Sequence, residues 1–174
     1  MSKQIVEAYG TREQFLVTFN PDAQRTVTSD VTQCLFANFP TLAQVNATYS
    51  RQTAEAWLTP QLYDLSEYCG CREKLKGRPL EQLAEIIAQD FHYLKISEIM
   101  LFLRRFKAGR YGHFYGTVDP LVIVTALRTF LAERAEAYTR RESLKQQQRY
   151  DAYRREAITY DEHIKNKQHV QEKT

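Results

Sequence analysis

No apolar run in this chain approaches the ~20 residues that a membrane-spanning helix needs. The opening Met1-Ser2-Lys3-Gln4 is not followed by the apolar stretch of a signal peptide. Cysteine is scarce, with Cys34, Cys69 and Cys71 the only three. That number suits no disulfide framework, and Cys69-Gly70-Cys71 is a CxC rather than the CxxC of most zinc and redox sites. These absences predict a protein kept in a reducing cytoplasm, its thiols buried or half buried as packing groups. Catalytic signatures are missing too: there is no Walker A loop, no GxSxG and no dinucleotide fingerprint. His92, His113, His163 and His169 lie far apart, and none sits in a metal-binding spacing such as HExxH. His113, Asp119 and a tyrosine can be drawn as an acid–base set, but any loop of Gly, His and Asp allows that drawing. Asp151, Asp161 and Glu162 read as surface charges rather than metal ligands. The expectation is a non-enzyme with no catalytic residues, no cofactor and no metal.

What is present is a helix-forming chain. Its 174 residues fit one domain plus an appendage and are enough to bury a real core, while the 43% hydrophobic content is slightly low for a fully compact domain, a deficit the polar tail explains. A net charge of +3 is mild, so the placement of charge matters more than its sum. Residues 1–28 are mixed. Gln14-Phe15-Leu16-Val17-Thr18-Phe19 has strand-like composition and ends at the turn signal Asn20-Pro21-Asp22, which predicts one short strand or an arm laid on a helical body.

Helical periodicity dominates from there. Ser29 or Asp30 can cap a short helix carrying Val31, Cys34, Leu35 and Phe36. Pro40-Thr41 stops it, and a second short turn begins at Leu42. A helix opening at Thr48 or Ser50 carries Ala54, Trp57 and Leu58, with Pro60 breaking or restarting it and Gly70 stopping it. Trp57, the sole tryptophan, reads as core. Pro79 suits a first helical turn, and Leu80, Leu83, Ile86, Ile87 and Phe91 recur at three and four. Ser97 is a candidate N-cap for a densely apolar helix through Phe106, ended by Gly109. Asp119-Pro120 is the clearest helix start, a capping carboxylate followed by proline. From about Glu133 apolar residues thin to alanines and scattered tyrosines, which predicts a helix that outgrows the core to about residue 160 before a polar end. There is no internal repeat and no heptad seam.

The most informative stretch joins two of these helices. Phe106 to Pro120 holds Gly109, Gly112 and Gly116, three of the six glycines of the chain, among Tyr111, Phe114 and Tyr115. One reading is a tight corner whose glycines take positive φ while the three aromatics plug the core. The other is a binding surface. Gly109-Arg110-Tyr111-Gly112 has the GxxG form that clamps nucleic-acid backbone in KH domains, though the strands of a KH sheet are missing around it. Lys95, Arg104, Arg105, Lys107 and Arg110 form an acid-poor run, with Lys74, Lys76 and Arg78 earlier. Arg104 and Lys107 are three apart and share a helix face. Cations beside tyrosines suit phosphates and stacked bases; a solvated helix face with ion pairs accounts for the same residues.

Several blocks recur in a familiar order: Phe39-Pro40-Thr41-Leu42, Ala56-Trp57-Leu58, Lys95-Ile96-Ser97-Glu98, the K-x-G-x-Y-G-x-F-Y-G block from Lys107 to Gly116, Asp119-Pro120, and Leu131-Ala132-Glu133-Arg134. On these, the chain resembles a family of uncharacterised proteins from Bacteroidetes phages and integrated mobile elements, over about residues 35–140. The resemblance implies an intracellular setting in a bacterial host cell and no established activity, so no catalytic residue transfers. Small helical proteins of such elements often act around replication as helicase loaders, replisome organisers or single-strand binders, an analogy of context rather than of site.

The expected architecture is all-α: an N-terminal arm (1–29), a compact helical core domain (30–135), and a long protruding charged helix with a flexible tail (136–174). The expected function is that of a non-enzymatic phage or mobile-element accessory factor acting on DNA or replication proteins. Its nucleic-acid-binding residues would be Arg104, Arg105, Lys107, Arg110, Tyr111 and His113. The alternative is a protein-interaction module or anti-defence factor that works through the C-terminal helix, in one form as a homodimer. Neither reading involves a membrane.

Overall fold

The computed structural model describes residues 2–171, with side chains described as far as residue 157 and at Lys165. The backbone is helical: α1 (Ser2–Tyr9), α2 (Arg12–Thr18), a single 3-10 turn (Pro21–Ala23), α3 (Gln24–Val27), α4 (Val31–Phe36), α5 (Leu42–Thr48), α6 (Thr53–Tyr68), α7 (Arg78–Asp90), α8 (Ile96–Lys107) and α9 (Pro120–Gln171). Among the described residues, strand pairing is confined to two isolated bridges, Thr41 with Lys95 and Glu73 with Thr117. The all-α expectation holds: a helical body is followed by a long C-terminal helix. The chain divides into two compact units, Met1–Phe130 and Leu131–Thr174.

The N-terminal strand does not form. Gln14–Thr18 lies in α2, started by a capping box in which the Thr11 hydroxyl accepts from the Gln14 amide and the Gln14 side chain accepts from the Thr11 amide. Two satisfied end donors and burial of Phe15 and Phe19 outweigh the β-branched composition. Nor is this segment an arm resting on a finished core. The carbonyl of Phe19 accepts from the Trp57 indole at 2.7 Å and from the Gln61 amide at 2.7 Å. Gln61 in turn accepts from buried Gln24 at 2.7 Å. Tyr9, Phe15, Phe19 and Tyr49 form an aromatic cluster with centroid separations of 5.0–6.0 Å.

Other differences are local. Asp30 caps α4, accepting from Thr32 at 2.7 Å and Gln33 at 3.2 Å. Pro60 sits inside α6 rather than breaking it. Trp57, Leu58, Gln61 and Leu62 are buried around it, and their packing offsets the lost backbone hydrogen bond. The same helix opens at Thr53, later than Thr48 or Ser50. Ser97 is not a cap: it lies within α8, buried, with its hydroxyl donating to the Cys34 carbonyl at 2.7 Å. The cap is the Glu98 carboxylate, which accepts from the Lys95 amide at 3.0 Å. Helix α9 does not end near residue 160; it continues to Gln171. The side chains of Asp161, Glu162, His163 and His169, and the tail 172–174, lie outside the described residues.

The core of the first unit centres on α8. Ile99, Met100, Phe102, Leu103 and Phe106 are buried, and so are Ile123, Leu127 and Phe130 of α9. The rings of Phe102 and Phe130 meet at 5.8 Å. A backbone clasp fixes the start of α8, with the Leu42 and Ala43 amides donating to the Leu94 and His92 carbonyls at 2.9 Å and the Ile96 amide donating to Pro40 at 3.0 Å. These bonds satisfy amides at the starts of α5 and α8 that no helix can satisfy internally.

Candidate nucleic-acid interface

The loop between α8 and α9 folds as its glycines predict. Gly109, Gly112 and Gly116 take φ values of 79°, 94° and 78°, a region costly for any residue with a Cβ. A Cβ at these three positions would meet open space, so backbone conformation, not close approach of another chain, is what each glycine provides. The loop is tied down at its far end. Glu73 donates its amide to Gly116 at 3.1 Å and accepts from Val118 at 3.0 Å, and the Thr117 hydroxyl donates to the Glu73 carboxylate at 3.2 Å.

The aromatics divide into two sets. Tyr111 packs on Phe102 and Phe106 at 5.5 and 6.1 Å, and Phe114 stacks on Phe106 at 5.2 Å. Both are half buried. Tyr115, expected to plug the core, is 85% exposed. Its hydroxyl lies 2.6 Å from His113 Nε2, and the two rings meet edge to face on the surface.

The cationic run divides as well, which corrects the picture of one continuous ridge. Lys107 turns inward, forming a salt bridge with Asp64 and donating to Gln24 Oε1 at 3.0 Å. Lys95 donates to the carbonyls of Leu35 and Ala37 at 3.0 and 2.9 Å, placing its ammonium at the C-terminus of α4, where the helix dipole favours a cation. The Arg105 guanidinium lies 5.8 Å above the Phe130 ring. Arg104, Arg110 and His113 remain on the surface. Of the six residues expected to bind, Lys107, Arg105 and Tyr111 are partly buried in packing or pairing roles, His113 pairs with Tyr115 at the surface, and Arg104 and Arg110 are exposed.

Sequence reasoning missed a cleft beside Arg110. Arg110 and Tyr111 form one wall; Leu121, Val122, Thr125, Ala126 and Thr129 of α9 form the other, around about 460 Å³. Leu121, at the mouth, is 73% exposed. Leu121 was expected on the α9 core face with Ile123, Val124, Leu127, Phe130 and Leu131; helical spacing sets it on the side opposite the buried Ile123, Leu127 and Phe130, so it faces solvent instead.

Burial pushes the Cys34 and Cys69 thiols up, away from the thiolate that a nucleophile or metal ligand requires. Among the described residues no cluster of three His, Cys, Asp or Glu side chains could hold a metal ion. No described helix is long and apolar enough to cross a membrane.

Fold and surface together define an all-α protein that presents arginines and aromatics around a glycine-rich loop. The chain belongs to a family of unknown function, DUF6633, whose pattern it matches over residues 76–174. That span holds α7, α8, the glycine loop and α9, and so every residue of the candidate interface. No curated protein and no solved structure matches the chain.

Proposed function

We propose that this chain is a non-enzymatic accessory factor of phages or integrated mobile elements that binds nucleic acid, in the manner of a helicase loader or replisome organiser. The observation that carries this reading is the group Arg104, Arg110 and His113 on the surface at the loop, with the Tyr111 cleft beside it. Guanidinium groups recognise phosphate bidentately, and an aromatic wall accepts a base face. The loop supplies these contacts from a backbone already fixed by its glycines and by Glu73, so little ordering entropy is lost on binding.

The test is a salt-titrated binding assay with the full chain and fluorescent DNA, single-stranded and duplex. Binding at about 50 mM salt that weakens steeply toward 200 mM is the expected result. No binding to either form at the lower salt removes this function.

A second reading, a protein-interaction module or anti-defence factor, is favoured by Leu144, Tyr150 and Tyr153 of α9, which are 54%, 65% and 71% exposed. If the module is a homodimer, light scattering gives twice the 20.4 kDa chain mass, and Leu144→Asp returns it to the monomer. A monomer at all concentrations excludes the homodimer form.

A further inference from the structure

The second unit carries a pattern that the loop does not. Arg134, Tyr138, Arg141, Lys145 and Arg149 follow one another at spacings of four, three, four and four, which places them on one face of α9. Arg134 lies with its guanidinium 4.6 Å from the Tyr138 ring centre. Lys145 and Arg149 are exposed, while Arg134 and Arg141 are half buried. Of the described acids in this part of the helix, Glu133, Glu136 and Asp151 lie off this face, Glu142 at its edge, and Glu156 on it beyond Arg149.

Arg141, Lys145 and Arg149 stand four residues apart along this face.

We infer that the face Arg134–Arg141–Lys145–Arg149 of the second unit is itself a docking surface for duplex DNA. This rests on the nucleic-acid reading above and locates it. Charge complementarity is the first argument: the four cations extend about 22 Å along the helix axis, and duplex DNA presents one negative charge per about 1.7 Å. Shape is the second. An α-helix with its side chains is about 10–12 Å across, and the major groove, about 12 Å wide, admits it. Three of the four cations are arginines, whose planar fork matches phosphate oxygens. Tyr138, under Arg134, holds that guanidinium in place at the start of the row.

The experiment compares the full chain with two variants, using a labelled duplex of arbitrary sequence. One is Arg141→Gln/Lys145→Gln/Arg149→Gln, which removes the charge and keeps good helix formers. The other is Arg104→Gln/Arg110→Gln. Circular dichroism confirms that both keep their helix content. The triple variant is expected to lose tenfold or more in affinity at about 50 mM salt, and its slope of log K against log salt to fall by about three. The double variant is expected to weaken binding as well, its slope falling by about two. If wild type binds duplex and the triple variant keeps its affinity and slope, the docking face is wrong while the nucleic-acid function stands. If wild type binds only single strands, the duplex assignment fails and the broader reading survives. If wild type binds neither form, both fail.

Discussion

Helix α9 belongs to two regimes. Before Leu131 its sequence obeys the core, with Ile123, Ala126, Leu127 and Phe130 buried. After it, no described residue is buried. In the first unit a helix exists because one face is taken out of water, so weak local propensity is tolerable; α2 and the proline-containing α6 show this. In the second unit the helix rests on local terms: alanines, glutamines, the Glu136–Arg140 spacing and the Arg134–Tyr138 contact. One continuous helix therefore combines a rigid end and an end whose surface chemistry is free to serve a partner.

The comparison breaks most readily at the aromatic junction of α8. Phe102 is buried among Phe106, Tyr111 and Phe130. Phe102→Ala removes a ring and leaves a cavity, which should cost about 3–5 kcal/mol. Denaturant unfolding followed by Trp57 fluorescence reads this from the first unit, because Trp57 is buried in α6. A shift below about 1 kcal/mol would mean that this junction is not the core.

How far the sequence revealed this division depends on the range of the interactions. The helical periods of α7, α8 and the start of α9, and the caps at Asp30, Pro79 and Asp119, are local and were legible. The thinning of apolar residues near Glu133 is a local signal of the same kind. Lys107 was misread because its partners, Asp64 and Gln24, come from α6 and α3, far away in sequence. Lys95 was misread likewise, its acceptors being carbonyls of a helix about 60 residues earlier. Spacing along one helix says which cations share a face, not which of them an upstream element takes. The strand at Gln14–Phe19 is another kind of miss: the T-x-x-Q capping box was present in the sequence, and β-branched composition was given more weight.

A smaller effect sharpens the contrast from within the first unit. Gln61 is fully buried, donating to the Phe19 carbonyl and accepting from Gln24. Gln61→Leu keeps the volume and removes both bonds, leaving the Gln24 amide without its acceptor. The expected loss is about 1–3 kcal/mol. Glu7→Ala, exposed on α1, should stay within about 0.5 kcal/mol. Equal losses would show that the N-terminal helices add stability only by covering the core, not through this polar network.

The smallest effect on global stability is expected in the second unit, and it separates the two regimes most cleanly. Gln147→Gly places a glycine in an exposed helical stretch, where the cost is about 1 kcal/mol and purely local. With no burial beyond Phe130 to hold the turn, that cost appears as faster amide exchange around residue 147 rather than as a lower unfolding midpoint. Because duplex docking would use Arg141, Lys145 and Arg149 on either side of it, the same substitution should weaken DNA binding severalfold by adding ordering entropy to the bound state. An unchanged midpoint with faster local exchange is the expected pair of results. A lowered midpoint would mean that the helix after Leu131 is cooperative with the aromatic core after all.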